Sequence, residues 1–294
     1  MIFKKDAKVS KGMIFAGCSF TWGQGLYYYS NLPTIKEPPP DCYDSKLVSR
    51  SHIKYMESVR FPRIVADHFG SFEFVYPGNG GSNEGVIQWW MKCLTDDFQG
   101  SILNGYKVPR INPKEISHVI FQLTQWQRDH FLLPLKGVFG SEMHDIAFHQ
   151  ISEPKYADRF LEWMEENGFK LDGWIEEYKQ KSIDRVKDFL TFCESHGIKT
   201  LLLTWPPDYV DFIMKDEWLK ERFLRLEYNG VLYNSITDLM SPGAMHNKSY
   251  NSELTIKWDE NNFLITPKDH HPSLGCHRVI AENIIKRIEK DNIK

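Results

Sequence analysis

The chain has 294 residues, 41% of them hydrophobic and 26% charged, and its 36 Lys plus Arg against 39 Asp plus Glu leave a net charge of −3. That apolar fraction and low net charge exclude a disordered chain. The lack of a cationic surplus argues against a general nucleic-acid binder, which needs positive charge to displace counterions from phosphates.

The first strand is expected at 12–17, a short apolar run bounded by glycine, and Cys18-Ser19-Phe20-Thr21-Trp22-Gly23 follows it directly. Residues 27–54 are polar and rich in Pro and Tyr, an excursion from the core. A short helix over 61–70 has Pro62 near its start and Gly70 at its end, the usual asymmetry. A second strand at 72–76 runs into Pro77-Gly78-Asn79-Gly80-Gly81-Ser82-Asn83, and a helix follows over about 84–94. The third strand spans 117–123 and a variable stretch runs to 153. Helices are expected over 155–167 and about 173–196, the second with Asp172 as N-cap and Gly197 as its stop. The fourth strand is 199–205. Residues 208–262 are part helix and part loop, and a last helix starts near Ser273. This alternation predicts an α/β fold, a three-layer α/β/α sandwich with a mainly parallel sheet, and ligands in such sheets bind beyond the carboxyl ends of the strands.

No window approaches the ~18 apolar residues of a transmembrane helix, and no signal-peptide core follows the N-terminal lysines. The expected location is cytoplasmic or virion-associated, with no membrane partner. The five cysteines, Cys18, Cys42, Cys93, Cys193 and Cys276, are scattered and form no CxxC pair, so they read as free thiols of a reducing compartment. Aromatic residues make up 14% of the chain, with nine Trp. Trp22, Trp126, Trp205 and Trp258 fall near strand ends or in insertions, where they either pack loops on the core or stack on a sugar.

Three strand-end features carry chemistry. Ser19, on a turn after the first strand, is either a nucleophile with backbone N–H groups close by or a helix cap. Lys268-Asp269-His270-His271-Pro272-Ser273 offers a base and a carboxylate to orient it, or a pair of surface histidines. Gly78 to Asn83 would let backbone N–H groups approach a developing negative charge, or a nucleotide phosphate, although neither GxGxxG nor GxxxxGK[ST] is present. Asp269, His270, His271 and His277 lack the spacing of a metal site, so no metal and no cofactor are expected, and a metal-dependent phosphodiesterase is disfavoured. Arg128, after the third strand, is placed to bind a carboxylate or sugar oxygen, or to form a surface salt bridge.

Taken in order, Gly17-Cys18-Ser19-Phe20, Gly80-Gly81-Ser82-Asn83 and Asp269-His270-His271-Pro272 resemble the SGNH (GDSL-type) hydrolase family, and look most like members carried by bacteriophages and bacteria. The resemblance spans the core of nearly the whole chain as one flavodoxin-like domain over 1–294, with insertions at about 27–54, 127–172 and 206–262. It implies Ser19 as nucleophile, His271 as base and Asp269 as its orienter. Gly81, Asn83, Thr124 and Gln125 are then the oxyanion and substrate-binding residues. The sequence departs from the family at Cys18, where an Asp normally precedes the nucleophile. It departs again at Gln122-Leu123-Thr124-Gln125-Trp126, where the family's Gly-x-Asn-Asp block is missing and Thr124 stands at the oxyanion Asn. The implied function is a serine esterase removing an acyl group, such as acetyl, from a glycan or small ester, with that ester as its only expected partner and the oligomeric state left open. The alternative is a catalytically weak or inactive phage or virion component that binds surface glycans.

Overall fold

The computed structural model describes residues 11–26, 50–76, 81–95, 102–103, 106–107, 109–137, 140–147, 154–240 and 271–293. In chain order the elements are β1 (Gly12–Ala16), α1 (Ser19–Trp22), α2 (Arg50–Val59), α3 (Phe61–His68), β2 (Phe72–Val75), α4 (Asn83–Leu94), β3 (Ile102–Leu103), β4 (Tyr106–Lys107), β5 (Ile116–Leu123), β6 (His130–Gly137) and β7 (Gly140–Ala147). They continue with α5 (Pro154–Glu166), α6 (Leu171–Ser195), β8 (Lys199–Thr204), α7 (Val210–Lys215), α8 (Glu217–Arg222), β9 (Leu226–Tyr228), β10 (Val231–Tyr233), α9 (Ile236–Met240) and α10 (Leu274–Ile293). No helix among the described residues is long and apolar enough to cross a membrane.

Four strands pair in parallel in the order β2-β1-β5-β8. β1 is fully buried and β5 and β8 are buried over most of their length, as strands covered on both faces are, whereas β2 at the edge is only partly buried, with Phe72 exposed. The two-residue period of a strand divides their side chains between two cores. Ile14, Ala16, Val119, Phe121 and Leu202 pack with α4, α6, α7 and α8. Met13, Phe15, Ile120, Leu201 and Leu203 pack with α3, α9 and α10. The result is an α/β fold with helices on either side of a parallel sheet, compatible with a three-layer sandwich. Burying each of these side chains other than Ala16 contributes roughly 1.5–3 kcal/mol.

The registers align the carboxyl ends of the strands. Phe15 lies beside Val75, Ala16 beside Phe121 and Leu123 beside Thr204. β2 lies on one side of β1 and β5 on the other, so the chain reverses its winding direction at β1. The crevice for a ligand in an open α/β sheet lies at such a reversal, here between the ends of β1 and β5.

Three local expectations need correction. Residues 50–59, partly assigned to a polar excursion, form α2, whose buried residue is Met56, with Ile53 and Val59 partly buried at helical spacing beside it. Lys170, not Asp172, is the N-cap of α6, and Asp172 lies inside the first turn, where its charge suits the helix dipole. The variable stretch after β5 contains the antiparallel hairpin β6–β7. Cys18, Cys93, Cys193 and Cys276 are buried free thiols, while Cys42 lies outside the described residues. Burial pushes the thiols of Cys93 and Cys193 up to about 12, which keeps both protonated and unreactive.

His277 ties α10 to α3. It is fully buried, its ring stacks on Phe61 with centroids 5.5 Å apart, and its Nδ1 accepts the Phe61 N–H at 3.1 Å. Burial, with Arg60 and His271 nearby, pushes its pKa down to about 3. The folded protein therefore holds this imidazole neutral, while the unfolded chain protonates it near pH 6.5. Its contribution is complete above pH 6.5 and is lost as the pH falls toward 3. We expect His277 alone to remove about 2 kcal/mol of folding stability between pH 7.5 and pH 5. His277→Asn, which keeps an acceptor near Nδ1, should flatten that part of the pH dependence in urea unfolding; an unchanged slope would exclude His277 as its source.

Candidate active site

Ser19 is the first residue of α1 and is almost completely buried. The turn before it is tight because Gly17 has no side chain: a Cβ there would overlap Thr21 Oγ1 and lie 3.0 Å from Gln122 Oε1. Gln122, buried on β5, holds the turn from beneath. Its Oε1 accepts from Thr21 Oγ1 at 2.7 Å, and its Nε2 donates to the Leu123 carbonyl at 3.0 Å and lies 3.5 Å from Cys18 Sγ. The far end of α1 is held by Arg60, whose Nη1 donates to the Trp22 carbonyl at 3.2 Å while its Nη2 pairs with the buried Glu73 at 2.9 Å. Gly23 closes the helix at φ 85°, a left-handed conformation that glycine adopts without strain.

His271 approaches from the other end of the chain. Its Nε2 lies 3.0 Å from Ser19 Oγ, a hydrogen bond between buried groups 252 residues apart. The Phe20 ring flanks it at 5.2 Å, and Trp205, just beyond β8, packs on Phe20 at 4.1 Å. Ser273 caps α10 behind the histidine by accepting the Cys276 N–H at 3.2 Å. Asp269 and His270 lie outside the described residues.

The remaining candidates divide. Gly81 precedes α4, and a Cβ there would sit 2.7 Å from Tyr76 Cε1, so the position requires glycine. Asn83 must be corrected: its carboxamide is spent inside the protein and is not a free oxyanion donor. Its Oδ1 accepts the Thr124 N–H at 2.9 Å, and its Nδ2 lies 3.3 Å from the Thr124 carbonyl, 3.2 Å from Ser182 Oγ and 3.1 Å from the Tyr209 hydroxyl. Asn83 thus fixes the backbone of Thr124. The Thr124 hydroxyl is buried and has no hydrogen-bond partner. Gln125 follows, half-buried. Trp126 and Trp205 are 6% and 5% exposed, so they pack the loops and present little surface to a sugar; Trp258 lies outside the described residues.

A polar layer supports this floor. Ser182 Oγ donates to Asp129 Oδ2 at 3.2 Å, and the Glu84 N–H donates to Asp129 Oδ1 at 3.2 Å. Burial raises the Asp129 carboxyl above the usual range, and burial likewise raises the Tyr209 phenol. Gln122, Asp129, Ser182 and Tyr209 were not anticipated as site-supporting residues. Gln122 carried a usable signal, since a polar residue in an otherwise apolar central strand needs a partner. The other three meet through tertiary packing and leave no local pattern.

Thr21 and Gln122 form a buried pair suited to a double-mutant cycle. We expect Thr21→Val and Gln122→Leu each to cost about 1–3 kcal/mol by leaving a buried partner unsatisfied. Together they should cost clearly less than the sum, as measured by urea unfolding; strict additivity would mean that the pair is not coupled.

Compared with protein-family models, with curated proteins and with solved structures, the chain matches none.

Proposed function

We propose that this chain is an SGNH-like serine hydrolase that cleaves, or transfers, the acyl group of an ester. The observation that carries the reading is the 3.0 Å hydrogen bond between Ser19 Oγ and His271 Nε2 at the carboxyl ends of the sheet strands. A buried serine with an imidazole nitrogen on its hydroxyl is the pairing that nucleophilic catalysis requires.

In this mechanism His271 carries its proton on Nδ1, and Asp269 is assigned to hold that tautomer. Ser19 Oγ attacks the acyl carbon while Nε2 takes its proton. The tetrahedral oxyanion is met by the backbone N–H groups of Ser19 and Gly81, with the Thr124 hydroxyl and the Gln125 carboxamide as further donors. As the intermediate collapses, His271 returns the proton to the leaving alcohol and Ser19 is left acylated. Water then attacks the acyl-enzyme, gives its proton to Nε2, and the acid departs as Ser19 recovers its hydrogen. A donor at Thr124 matters because losing one oxyanion contact costs about 10²–10³ in rate. An acylated glycan or a small acyl ester is the proposed substrate class. A virion component that merely binds surface glycans has less support, because burial of Trp126 and Trp205 leaves little of either ring for sugar stacking.

The expected outcome is covalent labelling of Ser19 by a fluorophosphonate, and loss of short-chain aryl ester hydrolysis in Ser19→Ala. Asp269→Asn should lower kcat by about 10²–10⁴ while the fold is retained. Full turnover by Ser19→Ala would remove the serine from the mechanism.

A further inference from the structure

Arg128 ends the short 3-10 turn Trp126–Arg128 that follows Thr124 and Gln125 at the end of β5. Its guanidinium carbon lies 4.7 Å from the centroid of the Trp205 ring. Trp205 packs on Phe20 and Phe20 on His271, so contiguous aromatic contacts connect this cation to the Ser19–His271 pair.

The side chain is half-buried, and its Nη1 is shut off from solvent with no hydrogen-bond partner. An ionised donor desolvated without an acceptor is costly, and native proteins seldom leave one so. The other partly buried arginines follow that rule. Among the described residues, every other arginine that is at least partly buried closes on a carboxylate: Arg60 and Arg63 on Glu73, Arg159 on Glu166, Arg222 on Glu194 and Arg287 on Asp291. Arg222 is the telling comparison. It too lies over a tryptophan, Trp218, at 3.6 Å, yet both of its forks bond Glu194 at 2.7 Å. Arg128 has the aromatic platform without the carboxylate.

We propose that the missing carboxylate belongs to the substrate: Arg128 forms an anion subsite beside Ser19 and His271 that selects esters carrying a carboxylate. The subsite rests on the hydrolase reading of Ser19 and deepens it by naming the substrate class. A single planar guanidinium, held over an indole, matches a monoanionic carboxylate in geometry and in charge. The carboxylate sits on the alcohol side of the ester, as in an acetylated acidic sugar, or on the acyl side, as in a dicarboxylic half-ester.

Equilibrium binding to Ser19→Ala, which leaves esters intact, tests this directly. Calorimetry would compare 3-acetoxybenzoate with its methyl ester for the alcohol side, and monophenyl glutarate with phenyl pentanoate for the acyl side. At least one charged ester should bind about 10- to 100-fold more tightly than its neutral counterpart. Adding Arg128→Gln should bring the two close to parity, while Arg128→Lys should keep part of the preference. Added salt should weaken the charged ester selectively. Equal binding of charged and neutral esters, a preference that survives Arg128→Gln, or no binding of either charged ester would each overturn the subsite. Turnover by the Ser19 protein, measured separately, reports on the hydrolase reading alone. Carboxylate preference without turnover would end that reading and leave the subsite standing, and turnover without the preference would do the reverse.

Discussion

A carboxamide buried in the middle of a parallel sheet sets the terms for the site. Gln122 has no contact with water, so its oxygen and nitrogen must find partners within the protein. They find them in Thr21, Cys18 and the Leu123 carbonyl. Those bonds draw the first turn after β1 down onto β5. Such an approach is sterically open only because Gly17 lacks a Cβ. One polar side chain and one missing methyl group together decide where the Ser19 hydroxyl lies.

The opposite wall is built on the same logic with different residues. Asn83 pairs with both the N–H and the carbonyl of Thr124, groups that the end of β5 would otherwise leave unmet. A side chain on the first turn of α4 therefore does the work of an additional strand residue. Ser182, Tyr209 and Asp129 complete the layer, linking α4, α6 and the loops after β5 and β8. Buried polar layers of this kind stabilise little on balance, but a half-satisfied one is heavily penalised, so they favour a single arrangement of the loops. A floor fixed in that way suits chemistry that depends on placing a hydroxyl within a few tenths of an ångström.

The four sheet strands were legible in the sequence because each holds a short apolar run with a stop signal, a pattern that burial enforces most strongly in β1, β5 and β8. The approximate positions of α3, α4, α6 and α10 were legible for the same reason, through helical spacing and end signals. Ser19 and His271 stood out by position, at the end of a strand and ahead of a helix. Asn83 was read as a ligand-facing residue because it follows glycines at a helix start; only tertiary contacts reveal that its amide turns inward. The partnership of Arg128 with Trp205 was equally hidden, since 77 positions separate them and neither belongs to a periodic pattern. Helix α2 escaped notice although Ile53, Met56 and Val59 recur at helical spacing, because the polar residues between and before them read as a loop, and hairpin β6–β7 because nothing in the stretch after β5 marked a pair of strands.

The hydrogen bond between Ser19 and His271 spans 252 residues, and this distance has a consequence for biosynthesis. A ribosome delivers the serine turn 252 residues before the histidine. Until α10 docks against α3 and carries His271 into place, Ser19 has no imidazole at its hydroxyl. On the proposed hydrolase reading, a nascent or partly folded chain therefore presents an ordinary, unactivated serine to the esters around it. Any acyl-transfer chemistry proposed for the pair becomes available only when these two distant segments have met, so that folding acts as a safeguard against premature reaction.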